Sequence, residues 1–507
     1  MIRDLARARV LCLASGIAGI LCGCVNLAPS YERPALPVAA AYPALGDGGT
    51  PAPRQSAPIP AEASLAHVDW RTFFLDARLA QVIALALANN RDLRVAVLDI
   101  AKARAQYQIQ AAATWPTVSA SQTGSSTLTP ADLSQTGARG IFREDSASVG
   151  ISAYELDLFG RVRNLKAEAL EQYLATDAAR RSTQISLIAE VAGDYLTYAA
   201  DCERLALARA TLKSDTDSLD LTLRLFAHGE TSQLSVREAE TSVASARVSI
   251  ATYITQIAED RNALTLVVGA PISPELLPEA MPDSVNAMGE LPEGLPSLLL
   301  TDRPDIIEAE HQLKSDTASI GAARAAFFPR ITLTASGGTE SASLSNLFRN
   351  GSQTWNFAPA VSVPIFDGGV NRANLEVAKI NREIDVANYE KAIQSAFREV
   401  ADALADRGTL DERLRAQNDL VEASTDSYRL SEARFRRGID SYLTVLDAQR
   451  TLYAAQQNLI STRLAHVFNA VTLYKVLGGG ASGIDPGESS GPAQSGAAQS
   501  SKASAKG

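Results

Sequence analysis

The clearest reactive group in the sequence is the thiol of Cys24, which lies where an apolar N-terminal run stops. Arg3, Arg7 and Arg9 precede that run, and its apolar core of about a dozen residues is shorter than the roughly 20 that a membrane-spanning helix needs. A basic start, a short apolar core and small residues at its end are the parts of a cleaved export signal. Cleavage there would leave Cys24 at the new N-terminus.

The residues Leu21-Cys22-Gly23-Cys24 resemble a lipobox, the site read by bacterial lipoprotein signal peptidase. This resemblance implies a thioether between diacylglycerol and the Cys24 sulfur, cleavage before Cys24 and acylation of the new amino group. Several acyl chains anchor a protein firmly, because each buried methylene contributes about 0.8 kcal/mol. We predict a signal peptide at 1–23 and lipidation of Cys24 by diacylglycerol and an N-acyl chain such as palmitate. The alternative is an ordinary cleaved signal with a chance cysteine.

Other residue types offer little chemistry. The four histidines are scattered, and none lies in a metal motif such as H-E-x-x-H. No phosphate loop, nucleophile elbow or paired acid constellation stands out, and Cys202 is left without a cysteine partner after processing. We therefore expect a protein that is not an enzyme, binds no metal and carries no cofactor besides the lipid on Cys24.

Composition narrows the class of protein further. The chain has 507 residues and is 46% hydrophobic but only 6% aromatic, which favours helix-on-helix packing. A net charge of −10 without a basic block argues against nucleic acid as a partner. No later segment approaches a continuous apolar span of about 20 residues, so any membrane crossing must use β-strands.

An internal duplication organises the chain. The segment "NRDLRVAVLDIAKARAQYQIQAAATWPTVSAS" from Asn90 matches "RPDIIEAEHQLKSDTASIGAARAAFFPRITLTAS" from Arg303, and "LFAHGETSQLSVREAE" from Leu225 matches "RFRRGIDSYLTVLDAQ" from Arg434. Such self-similarity marks a structural unit used more than once. We predict a linker at 24–78, repeats at 79–290 and 291–478, and a disordered tail at 479–507.

Both repeats contain the same elements in the same order. A helix without proline (79–113 or 305–328) precedes a β-hairpin (116–159 or 330–366), and a long helix (161–227 or 370–437), a glycine turn and a return helix follow. The long helix of about 67 residues would reach ~100 Å, and the return helix and pre-strand helix together match that length. Two half-helices are therefore predicted to stack end to end beside one uninterrupted helix. A Pro-rich equatorial linker between the repeats should bulge outward at mid-height.

The predicted strands alternate between apolar and small polar residues. The apolar positions are Val149, Ile151, Ala153, Ile331, Leu333, Ala335, Trp355, Phe357, Val361, Val363 and Ile365. Period-2 alternation over ~10 residues is typical of a transmembrane strand, although a soluble hairpin would show it too. Four strands cannot close a membrane barrel, since the smallest have about 8 and open edges are not tolerated in lipid. Three chains supplying twelve strands are the simplest closure.

The sequence resembles the TolC/OprM-type outer-membrane factor family, in its NodT-like efflux lipoprotein branch. The resemblance rests on the lipobox, "WRTFFLDARLAQVIALALANNRDLRVA" from Trp70, "YELDLFGRVR" from Tyr154, "DRPDI" from Asp302, "PIFDGG" from Pro364 and "RFRRGIDSYLTVLDAQRTLYAAQ" from Arg434. It implies a mainly α fold with membrane β-structure, in which each chain has four transmembrane strands and long coiled helices. Three chains would form a 12-strand β-barrel continued by a 12-helix α-barrel.

The resemblance also implies a function. The expected protein is a passive exit duct of a tripartite efflux pump, exporting small molecules such as drugs. It would form a homotrimer anchored by lipid in the cell outer membrane, with a periplasmic extension. Its partners would be a periplasmic adaptor (membrane fusion) protein and an inner-membrane transporter of RND type. Val25 follows Cys24 where retention in the inner membrane would favour Asp.

Two groups of residues are candidate sites. Gly229, Ser232, Gly438 and Ser441 lie at the two helix turns, where helix capping and adaptor docking both suit glycine and small side chains. Leu443, Asp447 and Arg450 share one face of the helix after the second turn, because they are spaced by four and three residues. By resemblance this face is a periplasmic gate, with an apolar constriction and an acidic ring. The alternative is an ordinary solvated helix face.

Two competing functions remain open. A duct of the same fold could serve type I protein secretion, although the lipobox favours efflux. A periplasmic coiled-coil scaffold held only by its lipid would account for the long helices and the lipobox without a membrane strand. The exported substrates, the particular adaptor and transporter, the resting state of the gate and the role of the tail are not determined by the sequence.

Overall fold

A computed structural model of the chain describes residues 25–42, 68–134, 137–282, 284–285 and 297–479. The predicted signal peptide with Cys24, and the tail from residue 480, lie outside the described residues. The same holds for much of the two predicted linkers.

The described residues form eight α-helices and four strands that follow one another in two similar series. The first series is α1 (Trp70–Phe73), α2 (Ala77–Asn89), α3 (Arg91–Ala112), β1 (Val118–Thr129), β2 (Gly140–Leu156), α4 (Arg161–Ala227) and α5 (Gln233–Val268). The second is α6 (Pro304–Ala325), β3 (Arg330–Ser341), β4 (Gln353–Ser362), α7 (Val370–Arg436) and α8 (Tyr442–Val476). Both series run from helix to hairpin, long helix and return helix, as the duplication predicts.

The two long helices, α4 and α7, are each 67 residues long and uninterrupted. Each begins directly after a glycine with positive φ, Gly160 at 77° or Gly369 at 93°, a conformation that residues with a Cβ rarely adopt. The lengths of the shorter helices match between the repeats, since α3 and α6 have 22 residues each. Within the described part of the chain, no helix is both long and apolar enough to cross a membrane.

The prediction of a single helix over 79–113 is wrong, because the helix breaks at Asn90. This residue leaves the helical conformation (φ −59°, ψ 134°), and its side chain accepts a hydrogen bond from the backbone N–H of Leu93. It thereby ends α2 and caps α3. The asparagine that ends the first helix is therefore also the start signal of the second.

A side chain at the start of each half-helix joins it to the return helix of the same repeat. Asn90 Nδ2 donates to the Val267 carbonyl oxygen at 2.7 Å, and Arg303 Nη1 donates to the Val476 carbonyl oxygen at 2.8 Å. These carbonyls belong to the last turns of α5 and α8, where no helical N–H is left to pair with them. The prediction that two half-helices stack end to end is confirmed by these contacts.

The helices form one layer with two free edges. α4 packs against the α3–α5 stack on one side and against the α6–α8 stack on the other. α7 packs on the far side of the α6–α8 stack. The layer therefore ends at α3 and α5 on one edge and at α7 on the other.

The strands form one antiparallel sheet in the order β1-β2-β3-β4, so β1 and β4 are its edges. The register places the apolar side chains on one face, as Ile151 pairs with Ala335 and Ala335 with Phe357. A bulge between Ile151 and Tyr154 interrupts the alternation. The prediction that Ala153 continues the apolar face is therefore wrong, since Ala153 occupies the bulge with φ 52° and Tyr154 resumes pairing.

A carboxylate at the end of the sheet helps to tie it to the helices. Glu155 at the end of β2 accepts two hydrogen bonds from Arg161, at 2.8 and 2.6 Å, and forms an ion pair with Arg330 of β3 at 2.7 Å. At mid-height, α1 and α2 cover α4 with the largest buried cluster among the described residues. The described part of the equatorial linker packs into this region through Ile272 and Leu277 rather than standing clear of it.

We predict that Asn90→Ala lowers the free energy of unfolding by about 1–3 kcal/mol, because it removes a helix cap and leaves a carbonyl at the joint unpaired. The control is Asn89→Ala, which removes only a hydrogen bond to Leu85 within α2. Loss of the far-ultraviolet circular dichroism signal in denaturant measures both. Equal effects of the two substitutions would contradict the role of the joint.

Candidate functional site

The two predicted turn glycines end the long helices. Gly229 (φ 75°) and Gly438 (φ 70°) both adopt the left-handed conformation. The next N–H in each turn reaches back to the helix, from Glu230 to Leu225 at 2.9 Å and from Ile439 to Arg434 at 3.0 Å. This pattern is the Schellman end of a helix, so the capping role of both glycines is shown. A Cβ at either glycine would meet nothing within 4 Å, which leaves the turn backbone open on its outer side.

The two turns differ in their polar contacts. Ser232 caps α5 by accepting a hydrogen bond from the Ser235 N–H at 3.2 Å, whereas the Ser441 side chain makes no such capping bond to α8. In the second turn, Arg434 instead donates two hydrogen bonds to Asp440, at 2.5 and 3.0 Å. The duplicated positions in the first turn are Leu225 and Thr231, which cannot form this ion pair. The two turns therefore present different surfaces.

The predicted gate residues lie on an exposed face of α8. The Leu443 side chain is 50% exposed, and Asp447 and Arg450 are exposed as well. Among the described residues, Asp447 and Arg450 form no ion pair with each other or with another group. One chain thus brings the three residues to one helix face without fixing their charges by an internal partner.

A small cavity beside Arg450 is lined by residues that the sequence did not identify as a site. The cavity has a volume of about 90 Å³ and lies between α4, α5 and α8, lined by Thr211, Asp215, Ser242, Ser245, Ala246, Ser249, Leu446, Gln449, Arg450 and Tyr453. Asp215 is 3% exposed and accepts a hydrogen bond from Gln449 Nε2. The Gln449 Oε1 atom is buried and has no hydrogen-bond partner among the described residues. In the sequence, Gln449 is marked only by its position next to the predicted gate residue Arg450.

Burial raises the pKa values of two groups in and beside this cavity. Removal from water disfavours the charged carboxylate and raises the pKa of Asp215, although the hydrogen bond from Gln449 opposes this. Burial likewise raises the pKa of Tyr442 to about 12, so its hydroxyl stays protonated at neutral pH. Across the described residues, no group of three or more His, Cys, Asp or Glu side chains is arranged to hold a metal ion.

The duplicated positions in the two repeats carry different residues. Glu238 and Thr241 stand at the positions of Asp447 and Arg450, and Ser424 of α7 stands at the position of Asp215. Glu238 is half-buried, while Asp447 is exposed. The acidic and basic pair of α8 is therefore specific to the second repeat.

Comparisons with known proteins agree over nearly the whole chain. Residues 82–270 and 295–479 match the family described as Outer membrane efflux protein. Two Pseudomonas putida proteins, the antibiotic efflux pump outer membrane protein ArpC and the toluene efflux pump outer membrane protein TtgC, are each 50% identical over 465 residues, covering 91% of this chain and 94% of each relative. The open state of the Neisseria gonorrhoeae MtrE outer membrane channel superposes with a TM-score of 0.78 at 37% identity, covering 90% of this chain and 98% of the channel.

We predict that Asp215 makes stability fall as pH rises. Because its pKa is raised in the folded chain, the folded state holds a proton that the unfolded state releases above pH ~4, and each unit of difference is worth about 1.4 kcal/mol. Asp215→Asn should therefore lose less stability than the wild type between pH 4 and the raised pKa. Denaturation monitored by circular dichroism at a series of pH values measures this, with exposed Asp217→Asn as the control. Parallel pH profiles for wild type and Asp215→Asn would contradict it.

Proposed function

The chain belongs to the outer membrane efflux protein family, and we propose that it is the passive outer-membrane exit duct of a tripartite pump that exports small molecules such as drugs. The observation that carries this function is the 50% identity to two efflux pump outer membrane proteins over 91% of the chain. The likeness to a solved outer membrane channel extends over the same helices and strands. A duct needs no reaction centre, since its partners supply the energy.

We further propose that three copies close the duct. Both edges of the helix layer carry exposed apolar side chains: Val95, Val97, Leu98 and Ile109 on α3, Leu234, Val248, Ile254 and Leu266 on α5, and Val377, Ile380, Ile384, Leu420 and Leu430 on α7. The sheet has unpaired edges at β1 and β4, which are continuous with α3 and α7. Rotation of one copy next to another would cover the helix edges and pair β4 with β1.

The apolar face of the sheet supports a position within the lipid of the outer membrane. Trp355 is 80% exposed, and Phe357 and Val361 on the same face are 57% and 64% exposed. The opposite face carries small polar groups such as Thr123 and Ser146, which hydrogen-bond across β1 and β2 at 2.7 Å. A lipid side and a lumen side would account for this division. We propose in addition that Cys24 carries diacylglycerol and an N-acyl chain that anchor the duct.

The partners we propose are a periplasmic adaptor and an inner-membrane transporter of RND type. The adaptor would dock at the turns that contain Gly229, Ser232, Gly438 and Ser441, where the backbone is open on its outer side. The gate would be the α8 face with Leu443, Asp447 and Arg450. Because Asp447 and Arg450 form no ion pair among the described residues of one copy, their charges could act across the threefold axis.

Deletion of the gene tests this function against type I protein secretion. The deletion strain should become more sensitive to toxic small molecules and should keep its export of proteins. Complementation with the wild type should restore resistance. Loss of protein export with unchanged small-molecule sensitivity would favour the secretion duct. Release of the Cys24→Ser protein from membranes would favour the lipid-anchored scaffold, whereas the duct should stay inserted.

We predict that Val361→Arg, on the apolar face one residue before the end of β4, is destabilising by at most the roughly 2–4 kcal/mol that such a charge costs at the bilayer midplane. The matched control is Ser362→Arg, one residue further on the opposite face, which should be tolerated and alter conductance. The amount of heat-resistant trimer in the outer membrane measures the first effect, and planar bilayer recording measures the second. Equal tolerance of the two substitutions would remove the case for a membrane strand.

We predict that Asp447→Ala raises the open fraction of single channels and weakens block by multivalent cations. The substitution removes up to three negative charges from one narrow ring, where a poorly hydrated bore strengthens charge effects. Arg450→Ala should also raise the open fraction but should leave cation block largely intact, because the acidic ring remains. Purified trimers in a planar bilayer show both effects. The gate lies elsewhere if both variants match the wild type in opening and block.

A further inference from the structure

The N-terminal strap, residues 25–42, contacts α6 at three points along the helix, at Arg324, Glu310 and Ile306. At the sheet end, Arg324 near the end of α6 donates to the Leu27 carbonyl oxygen at 3.0 Å, and the Val25 N–H donates to the Leu158 carbonyl oxygen at 3.2 Å. At the other end, the Tyr42 ring stacks on Phe397 of α7 with ring centroids 4.6 Å apart. The strap therefore contacts α6 and α7, as well as the junction between β2 and α4.

The middle of the strap supplies a positive charge, Arg33, to a buried carboxylate of α6. Glu310 of α6 is 5% exposed, and its carboxylate has two cationic partners. Lys314 of the same helix lies 2.9 Å away, and Arg33 of the strap lies 2.7 Å away. Without Arg33, the buried carboxylate would keep a single cationic partner, Lys314. Arg33 is itself half exposed, so its loss would weaken the charge compensation of Glu310 without abolishing it.

The end of the strap supplies a core residue. Tyr42 is 4% exposed and belongs to the buried cluster between α6, α7 and α8, together with Leu300, Ile306, Tyr389, Ile393, Ala396, Val400, Ala403, Leu473 and Val476. Removal of Tyr42 would expose the faces of α6 and α7 on which it packs. α7 is also the edge helix that would meet the next copy.

We propose that the strap is an intramolecular clamp whose docking along α6 fixes the edge helix α7 before three copies close. Arg33 is the positioning residue of this clamp, since it adds a second cation to Glu310, beside Lys314, only when the strap is docked. The link to closure rests on the proposed trimeric duct, whereas docking itself depends on contacts within one chain. The clamp also connects the two ends of the half-helix α6, because the strap is attached near the sheet and again at mid-height.

The surroundings of Glu310 give the direction of the pH dependence. Tyr31 and Arg33 of the strap, Lys314 of α6 and Tyr389 of α7 are the titratable and charged groups that act on it. Burial alone would raise the pKa of Glu310, but the hydrogen bonds and charges of Lys314 and Arg33 outweigh burial and lower this pKa. The folded pKa lies below the unfolded value, so the clamp is fully formed above the ordinary glutamate range. It is lost as pH falls through the lowered pKa.

Limited proteolysis of the full-length lipidated protein tests docking. Chymotrypsin cleavage after Tyr31 of the strap, followed by mass spectrometry, should be slow in the wild type. It should be several-fold faster in Arg33→Gln, while exposed Glu32→Gln, the neighbouring charge of the strap, should match the wild type. Arg33→Gln/Glu310→Gln should return towards the wild-type rate, because it removes the buried carboxylate that Arg33 would otherwise help to neutralise. Unchanged cleavage in Arg33→Gln, or no rescue in the double variant, would overturn the clamp.

Two further measurements separate the clamp from the proposed function. Size-exclusion chromatography with light scattering should show less trimer for Arg33→Gln and recovery in the double variant; faster cleavage with an unchanged trimer fraction would overturn the link to closure. In the wild type, cleavage by an acid-active protease should rise below the glutamate range, and Glu310→Gln should lack this rise. Equal acid responses would overturn the role of Glu310. An intact clamp in a protein that exports nothing would refute the efflux function and leave the clamp standing.

Discussion

The architecture depends on the joint between stacked half-helices. A helix of 67 residues cannot bury its apolar positions alone, and each repeat flanks one with two shorter helices placed end to end. The ends of those helices leave unpaired carbonyls at mid-height, in the middle of the layer. Asn90 and Arg303 donate to these carbonyls, at Val267 and Val476. The joint thus lets four short helices act as two long ones.

The two joints differ in the residues that form them. Asn90 is neutral and caps α3, whereas Arg303 also donates to Asp305 at 3.0 and 2.6 Å and to Glu399 of α7 at 3.0 Å. The second joint therefore holds a third helix, α7, through a charged hydrogen bond. α7 is the helix at the edge of the layer, and the strap fastens it as well.

A single chain leaves apolar side chains and backbone groups uncovered at both of its edges. Apolar side chains remain exposed at both edges of the helix layer, and strands β1 and β4 keep unpaired backbone groups. The duplication would give a symmetrical tube if both repeats carried the same residues. They do not, since Leu225 and Thr231 stand at the positions of the Arg434–Asp440 ion pair, and Ser424 and Glu240 stand at the positions of the Asp215–Gln449 contact. In the proposed trimer, the helices and strands would therefore repeat six times around the axis, whereas these charged groups would repeat only three times.

The sequence by itself determined the repeats, the long helices, the turns and the apolar face of the sheet, because these depend on periodicity, on glycine and on proline close to the element. The resemblance and the local motifs also identified the family. Only the tertiary structure decided the break at Asn90, the bulge at Ala153 and the cavity at Asp215. Each of these depends on a partner distant in sequence: Val267 for Asn90, Thr334 for Ala153 and Gln449 for Asp215. The gate formed by Leu443, Asp447 and Arg450 stays a prediction, since one chain brings them to a face while the described residues supply no ion-pair partner for Asp447 or Arg450.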